Sequence, residues 1–298
     1  MKEPKILQRI KKARTPRKRK QLTYIAILPS LVTLMNGLCG FTAIVLSSRE
    51  MGEVWRPLLF PKISMSFFTL AGYMIFLGMV ADVLDGHVAR MSKSTSSFGA
   101  QLDSLCDVIS FGVAPAFIML KLVEMHAHQL QFENERLTVL FGRAVYLIAI
   151  IYTLCAIIRL ARFNAENKED ESAHLEFAGL PSPPAAGLIV SMIIFTEWCA
   201  GSFPNIDLYA IWILPAVTLL AGLLMVTRIP YPHLANRILR GKKKFSTFLF
   251  IALTLLLTIW NIQLAMVLGF TIFALYGLVR WLIAAILKTK EPETAKPT

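Results

Sequence analysis

The chain has 298 residues, 55% of them hydrophobic and only 17% charged, with a formal net charge of +12. A composition this apolar excludes an ordinary soluble domain and predicts a polytopic membrane protein. The positive charge gathers at the edges of apolar segments instead of covering one face, which argues for membrane lipid and against nucleic acid as the partner.

A spanning helix needs roughly 20 apolar residues. On that basis the sequence predicts an all-α, polytopic transmembrane bundle of about eight spans, at 23–47, 64–84, 101–121, 143–163, 184–200, 207–227, 245–261 and 264–287. Residues 1–20, MKEPKILQRIKKARTPRKRK, hold ten Lys or Arg and form a basic arm, either a surface helix on anionic headgroups or an unstructured anchor. A transmembrane catalytic domain is expected over 21–287, followed by a tail over 288–298. The basic arm before an apolar run imitates a secretory signal, but Pro29 and Asn36 interrupt the run and no small-residue cleavage site follows, so a retained first span is expected.

The first span reads LPSLVTLMNGLCGFTAI over 28–44. Thr33 and Asn36 lie three apart on one face, and Gly37 and Gly40 allow a close neighbour; packing between helices and ligand binding both fit. The next stretch carries the strongest chemical signal: DVLDGHVARMSKSTSSFGAQLDSLCD, from Asp82 to Asp107. Asp82 and Asp85 share one helical face at the end of the second span, and Asp103 and Asp107 share another at the start of the third.

Ionisable groups at membrane depth are costly and tend to be functional. Four carboxylates brought together repel unless cations sit among them, and all-oxygen ligation suits hard divalent ions, Mg²⁺ or Mn²⁺ where phosphate is handled. Two such ions can hold both oxygens of a phosphoryl displacement. Gly86 and Ala89 leave room for a ligand, Arg90 offers a planar cation, and Ser94, Thr95, Ser96 and Ser97 offer hydroxyls before Gly99. The plainer alternative is that the aspartates cap helix ends and pair with Arg90 and Lys93.

Further on, HAHQLQFENERLT places His126 and His128 at a spacing seen in metal sites, but with no further ligand nearby a solvated connection is expected. Arg159 and Arg162 lie three apart in IIRLARFN, where a snorkelling anchor is the plain reading. The loop from Arg228 to Lys244 holds six Lys or Arg, and Lys288, Lys290 and Lys296 follow the last span. With the connections near 48–63 and 122–142 poorer in positive charge, both termini and the 86–100 connection are expected in the cytoplasm. Cys39, Cys106, Cys155 and Cys199 show no paired spacing and are expected as free buried thiols.

Asp82, Asp85, Gly86, Ala89, Arg90, Gly99, Asp103 and Asp107 fit without a gap the signature of the CDP-alcohol phosphotransferases, which this chain resembles. LPSLVTLMNGLCGFTAI, IIRLARFN and FAGLPSPPAAG at 177–187 carry a closer likeness to its membrane-embedded bacterial phosphatidylserine synthases, so the likeness covers roughly 28–187. One departure is Ser30, where many relatives carry Asn after the proline.

The resemblance implies a homodimer in the inner membrane with its active site on the cytoplasmic side. It also implies a reaction that moves a phosphatidyl group from CDP-diacylglycerol to the hydroxyl of L-serine, releasing CMP. Asp82, Asp85, Asp103 and Asp107 would hold two divalent cations, with Asp107 also the catalytic base. Gly86, Arg90 and Ser96 would line the diphosphate, Ser30 and Thr33 would lie near the nucleotide, and Arg159 with Arg162 would bind the serine carboxylate or a phosphate. Glycerol 3-phosphate, inositol phosphate or choline as acceptor is the nearest alternative. A divalent-cation transporter is the alternative from another class.

Overall fold

The computed structural model describes residues 30–49, 54–55, 65–92, 97–127, 130, 135–166, 176–203, 205–232 and 257–289. Seven helices among them are long and apolar enough to cross a membrane. They are α1 (Ser30–Ser47), α2 (Phe67–Ser92), a third span built from α3 (Ser97–Asp107) and α4 (Ala114–His126), α5 (Glu135–Glu166), α6 (Ser182–Cys199), α7 (Ile206–Val226) and α8 (Ile262–Thr289). The expected span at 245–261 lies outside the described residues except for a helical turn at 257–260. Residues 1–20 and most of the 228–244 loop also lie outside them.

The side-chain pattern of α1 is that of a helix in lipid. Leu31, Leu34, Leu38 and Phe41 face outward, while Thr33, Asn36, Cys39, Ala43 and Ser47 are buried. In water this polarity would be inverted. In a bilayer the tails solvate leucine as well as a core does, so helix contacts are left to small and polar residues.

α6 packs against α2, α4, α7 and α8, and α5 runs along α7. Ile118, Tyr152, Ile189, Ile193, Ile211 and Met225, from four helices, belong to one apolar core, each essentially without solvent exposure. The third span is interrupted by one π-helical stretch, Val108–Val113, that begins directly after Asp107. A π-turn widens the helix and disturbs its carbonyl ladder. The Tyr152 hydroxyl donates to the Phe111 carbonyl at 2.9 Å and so satisfies that group in the buried core.

Two short antiparallel pairings are the only strands among the described residues, β1 (Val54–Trp55) with β2 (Met65–Ser66) and β3 (Glu176–Ala178) with β4 (Pro230–Pro232). The second pairing matters because it seats the FAGLPSPPAAG segment against the end of α7. Gly179 N–H donates to the Ile229 carbonyl at 2.9 Å and Leu180 N–H to the Leu224 carbonyl at 3.1 Å. Gly179 has a φ of 87°, and a Cβ there would fall on the Met225 and Thr227 carbonyls, so glycine is required. Pro181 then precedes α6, and Pro183 and Pro184 occupy its first turn, where the missing N–H groups cost nothing.

His126 departs from its expected place in a solvated connection. α4 extends through it, its side chain is 12% exposed, and Nδ1 lies 3.9 Å from Asp207 Oδ2 at the start of α7. His128 lies outside the described residues.

Candidate active site

Asp82 and Asp85 lie on α2 and Asp103 and Asp107 on α3, and the fold brings the two helices together at one end of the bundle. Carboxylate oxygens of Asp82, Asp85 and Asp103 fall within 4.8 Å of one another. Asp82, Asp85 and Asp103 lie inside their helices, and Asp107, where α3 passes into the π-helical stretch, makes no side-chain cap hydrogen bond. α2 continues through Ser92, well beyond Asp85, and α3 begins at Ser97, more than a turn before Asp103. Capping therefore does not account for them, while the pairing with Arg90 and Lys93 falls on side chains outside the described residues.

Asp85 and Asp107 are only 5% and 8% exposed. The Thr33 hydroxyl and the Gly86 N–H hydrogen-bond the Asp85 carboxylate, and Asn36 Nδ2 donates to Asp107 Oδ1 at 2.9 Å. Oδ2 of Asp85 and Oδ1 of Asp103 are buried with no hydrogen-bond partner among the described residues. Buried anionic oxygens without donors are expensive. Oxygens of one sign, converging and orphaned, fit hard divalent cations as the missing partner. Beside them a Cβ at Gly86 would meet nothing within 4 Å among the described residues.

Arg159 and Arg162 project from the end of α5 on this same side. Arg159 acts electrostatically on Asp82 and Asp107, and its Nη1 donates to Ser182 Oγ at 2.8 Å. Its Nε is buried without a partner. Arg162 Nη2 instead donates to the Val226 carbonyl at 3.0 Å, at the C-terminus of α7, where a cation meets unsatisfied carbonyls. Asn164 Nδ2 donates to Ser104 Oγ at 2.8 Å, joining α5 to the helix of Asp103 and Asp107. The polar residues of IIRLARFN thus reach three different neighbours.

Ser30 opens α1 and is half-buried, with Thr33 one turn on and buried. Arg90 belongs to α2, but its side chain, like the whole of Ser96, lies outside the described residues. Two polar groups stand at the site without having been singled out as site residues from sequence. In the sequence Asn36 fits packing and binding equally, and Ser182 stands out only as part of FAGLPSPPAAG. The serine-proline run before an apolar helix was the available signal for Ser182. No sequence signal pairs Asn36 with Asp107.

A second polar group sits at the opposite end of the bundle, where Glu197 hydrogen-bonds Ser66 and neighbours His126 and Asp207. The four cysteines are free and buried, as expected.

The family model described as CDP-alcohol phosphatidyltransferase matches residues 26–224. A CDP-diacylglycerol–serine O-phosphatidyltransferase of Methanocaldococcus jannaschii is 32% identical over 259 residues, covering 87% of this chain and 96% of that protein. One of the same name from Helicobacter pylori is 30% identical over 226 residues, covering 74% and 82%. One from Saccharomyces cerevisiae is 34% identical over 166 residues, covering 54% and 51%.

Proposed function

The chain belongs to the CDP-alcohol phosphatidyltransferase family, a transferase family, and on that premise we propose that it transfers the phosphatidyl group of CDP-diacylglycerol to the hydroxyl of L-serine, giving phosphatidylserine and CMP. The observation that carries the chemistry is the convergence of Asp82, Asp85 and Asp103 within 4.8 Å, with buried oxygens that lack a donor. The printed activity of relatives that align over most of their own length supports serine as the acceptor.

The family uses divalent metals, and the acidic cluster fits them. Asp82, Asp85, Asp103 and Asp107 would hold two divalent cations, Mg²⁺ or Mn²⁺, which when bound would supply positive charge to the diphosphate. The protein's own groups do the rest. Asp107 takes the proton of the serine hydroxyl. The freed oxygen attacks the lipid-side β-phosphorus as the bond to the CMP oxygen breaks. Gly86 admits the diphosphate, with Arg90 and Ser96 as further contacts, and Ser30 and Thr33 lie toward the nucleotide.

Arg159, with Nε free and Nη1 held by Ser182, is the group placed to grip the acceptor carboxylate. Arg162 supports that end of α5 through the Val226 carbonyl. The acyl chains of the donor remain among lipids while its headgroup reaches the site. The distribution of Lys and Arg supports an inner-membrane protein with both termini and the active site cytoplasmic, and the family resemblance supports a homodimer.

The test is CMP release by the purified chain from CDP-diacylglycerol with a panel of alcohols: L-serine, glycerol 3-phosphate, inositol phosphate and choline. Release that depends on L-serine is expected. Preference for glycerol 3-phosphate would keep the family chemistry and remove the serine assignment.

A further inference from the structure

We infer that Asn36 is a positioning residue for Asp107, holding its carboxylate in one rotation against the acidic cluster. The two residues are 71 apart in sequence, on different helices. Asn36 has no solvent exposure and its Nδ2 donates to Asp107 Oδ1 at 2.9 Å. An amide donor fixes one carboxylate oxygen and so presents the other in a single orientation. It does this without adding charge to a cluster that already carries four acids.

The backbone around this bond is locked as well. Ser110, fully buried in the π-helical stretch just beyond Asp107, donates from Oγ to the Asn36 carbonyl at 2.8 Å. The side chain and main chain of Asn36 therefore both engage the segment that carries Asp107. Small residues make the approach possible. A Cβ on Gly40 would overlap Ser110, and a Cβ on Gly37 would come within 3.0 Å of the Cys106 sulfur. On the other side, a Cβ on Gly78 would come within 3.0 Å of Asn36 Oδ1, so the α2 backbone leaves space for the carboxamide.

That Oδ1 is buried and has no hydrogen-bond partner. A residue kept only for packing would not carry an unmatched acceptor into the bundle, where a buried polar group without a partner is costly. An aliphatic side chain would fill the same volume without that cost. What asparagine gains here is the bond to Asp107.

The inference rests on the proposed role of Asp107, so the test is a double-mutant cycle that separates the two. Asn36→Leu is made in the unmodified chain and in Asp107→Asn, and serine-dependent CMP release is followed in purified full-length protein. We expect Asn36→Leu to lower kcat about thirtyfold or more in the unmodified chain. KM for L-serine and for CDP-diacylglycerol should stay within about threefold, and the further loss in Asp107→Asn should be under threefold. Mn²⁺ affinity without substrates, read by paramagnetic resonance, should weaken in Asn36→Leu but change under about threefold when Asn36→Leu is added to Asp107→Asn, because Asp107 is also a proposed ligand. Asn36→Ala, which leaves space instead of filling it, repeats the cycle should leucine prevent folding.

An equal factor in both backgrounds, in turnover or in Mn²⁺ affinity, would assign Asn36 to general packing and overturn the inference, as would unchanged kcat. Near-normal turnover of Asp107→Asn alone would remove the proposed role of Asp107 itself, a failure distinct from that of Asn36.

Discussion

Arg159 and Arg162 leave the same helix three residues apart and end on unlike partners: Arg159 on the Ser182 hydroxyl at 2.8 Å, Arg162 on the Val226 carbonyl at 3.0 Å. Only Arg159 keeps a buried guanidinium nitrogen without a partner. The pair therefore divides into one arginine with a free donor and one occupied by a helix end.

Substitution by lysine should separate them, because lysine keeps the charge and loses the planar fork. Arg159→Lys should raise KM for L-serine about tenfold, equivalent to about 1.4 kcal/mol where KM tracks affinity, with KM for CDP-diacylglycerol nearly constant. Arg162→Lys should act mainly on the thermal midpoint. Steady-state kinetics with each substrate varied in turn, together with thermal melts, checks both. A loss confined to the liponucleotide in Arg159→Lys would reassign that residue to the donor phosphates.

Neutral isosteres of the aspartates test the cluster directly. Asp82→Asn, Asp85→Asn, Asp103→Asn and Asp107→Asn each delete a charge while keeping size, and each should lower divalent-dependent CMP release by about a hundredfold or more, about 2.7 kcal/mol of barrier. All four should still insert in the membrane. Near-normal turnover in any two would be incompatible with a shared metal site.

Gly179→Ala addresses the frame that holds Ser182. The left-handed backbone alone costs an L-residue about 1–2 kcal/mol, and the new methyl would press on the Met225 and Thr227 carbonyls. The thermal midpoint should fall by roughly 5 °C, with activity lost before unfolding as Arg159 loses its anchor. A melt and activity profile matching the unmodified chain would disconnect the β3–β4 pairing from the site.

The aspartates were legible in the sequence because their spacings of three and four are themselves the helical repeat, so side-by-side placement on each helix follows from local geometry. Most spans were legible for an equally local reason, since length and hydropathy decide them. The bond between Asn36 and Asp107 was not, because it depends on how closely α1 approaches α3 and no residue near Asn36 encodes a partner 71 positions away. The π-helical turn after Asp107 and the parting of Arg159 from Arg162 are likewise tertiary results. They follow from where the Tyr152 hydroxyl, Ser182 and the end of α7 come to lie.

Orientation can be read with an impermeant thiol reagent on intact cells. The native cysteines are buried, so a single cysteine introduced between Lys93 and Ser97 reports the site side and one near His128 reports the other. The first should resist labelling from outside and the second should react. The reverse pattern would put the aspartates on the face away from cytoplasmic serine.

The most direct test of the central claim is a count of Mn²⁺ bound per chain, by paramagnetic resonance on purified protein saturated with CDP-diacylglycerol. Two ions are predicted for the unmodified chain, with at least one lost in Asp85→Asn and in Asp103→Asn, whose buried oxygens have no hydrogen-bond partner among the described residues. A stoichiometry of zero, or one that neither substitution changes, would contradict the assignment of these aspartates as the metal centre.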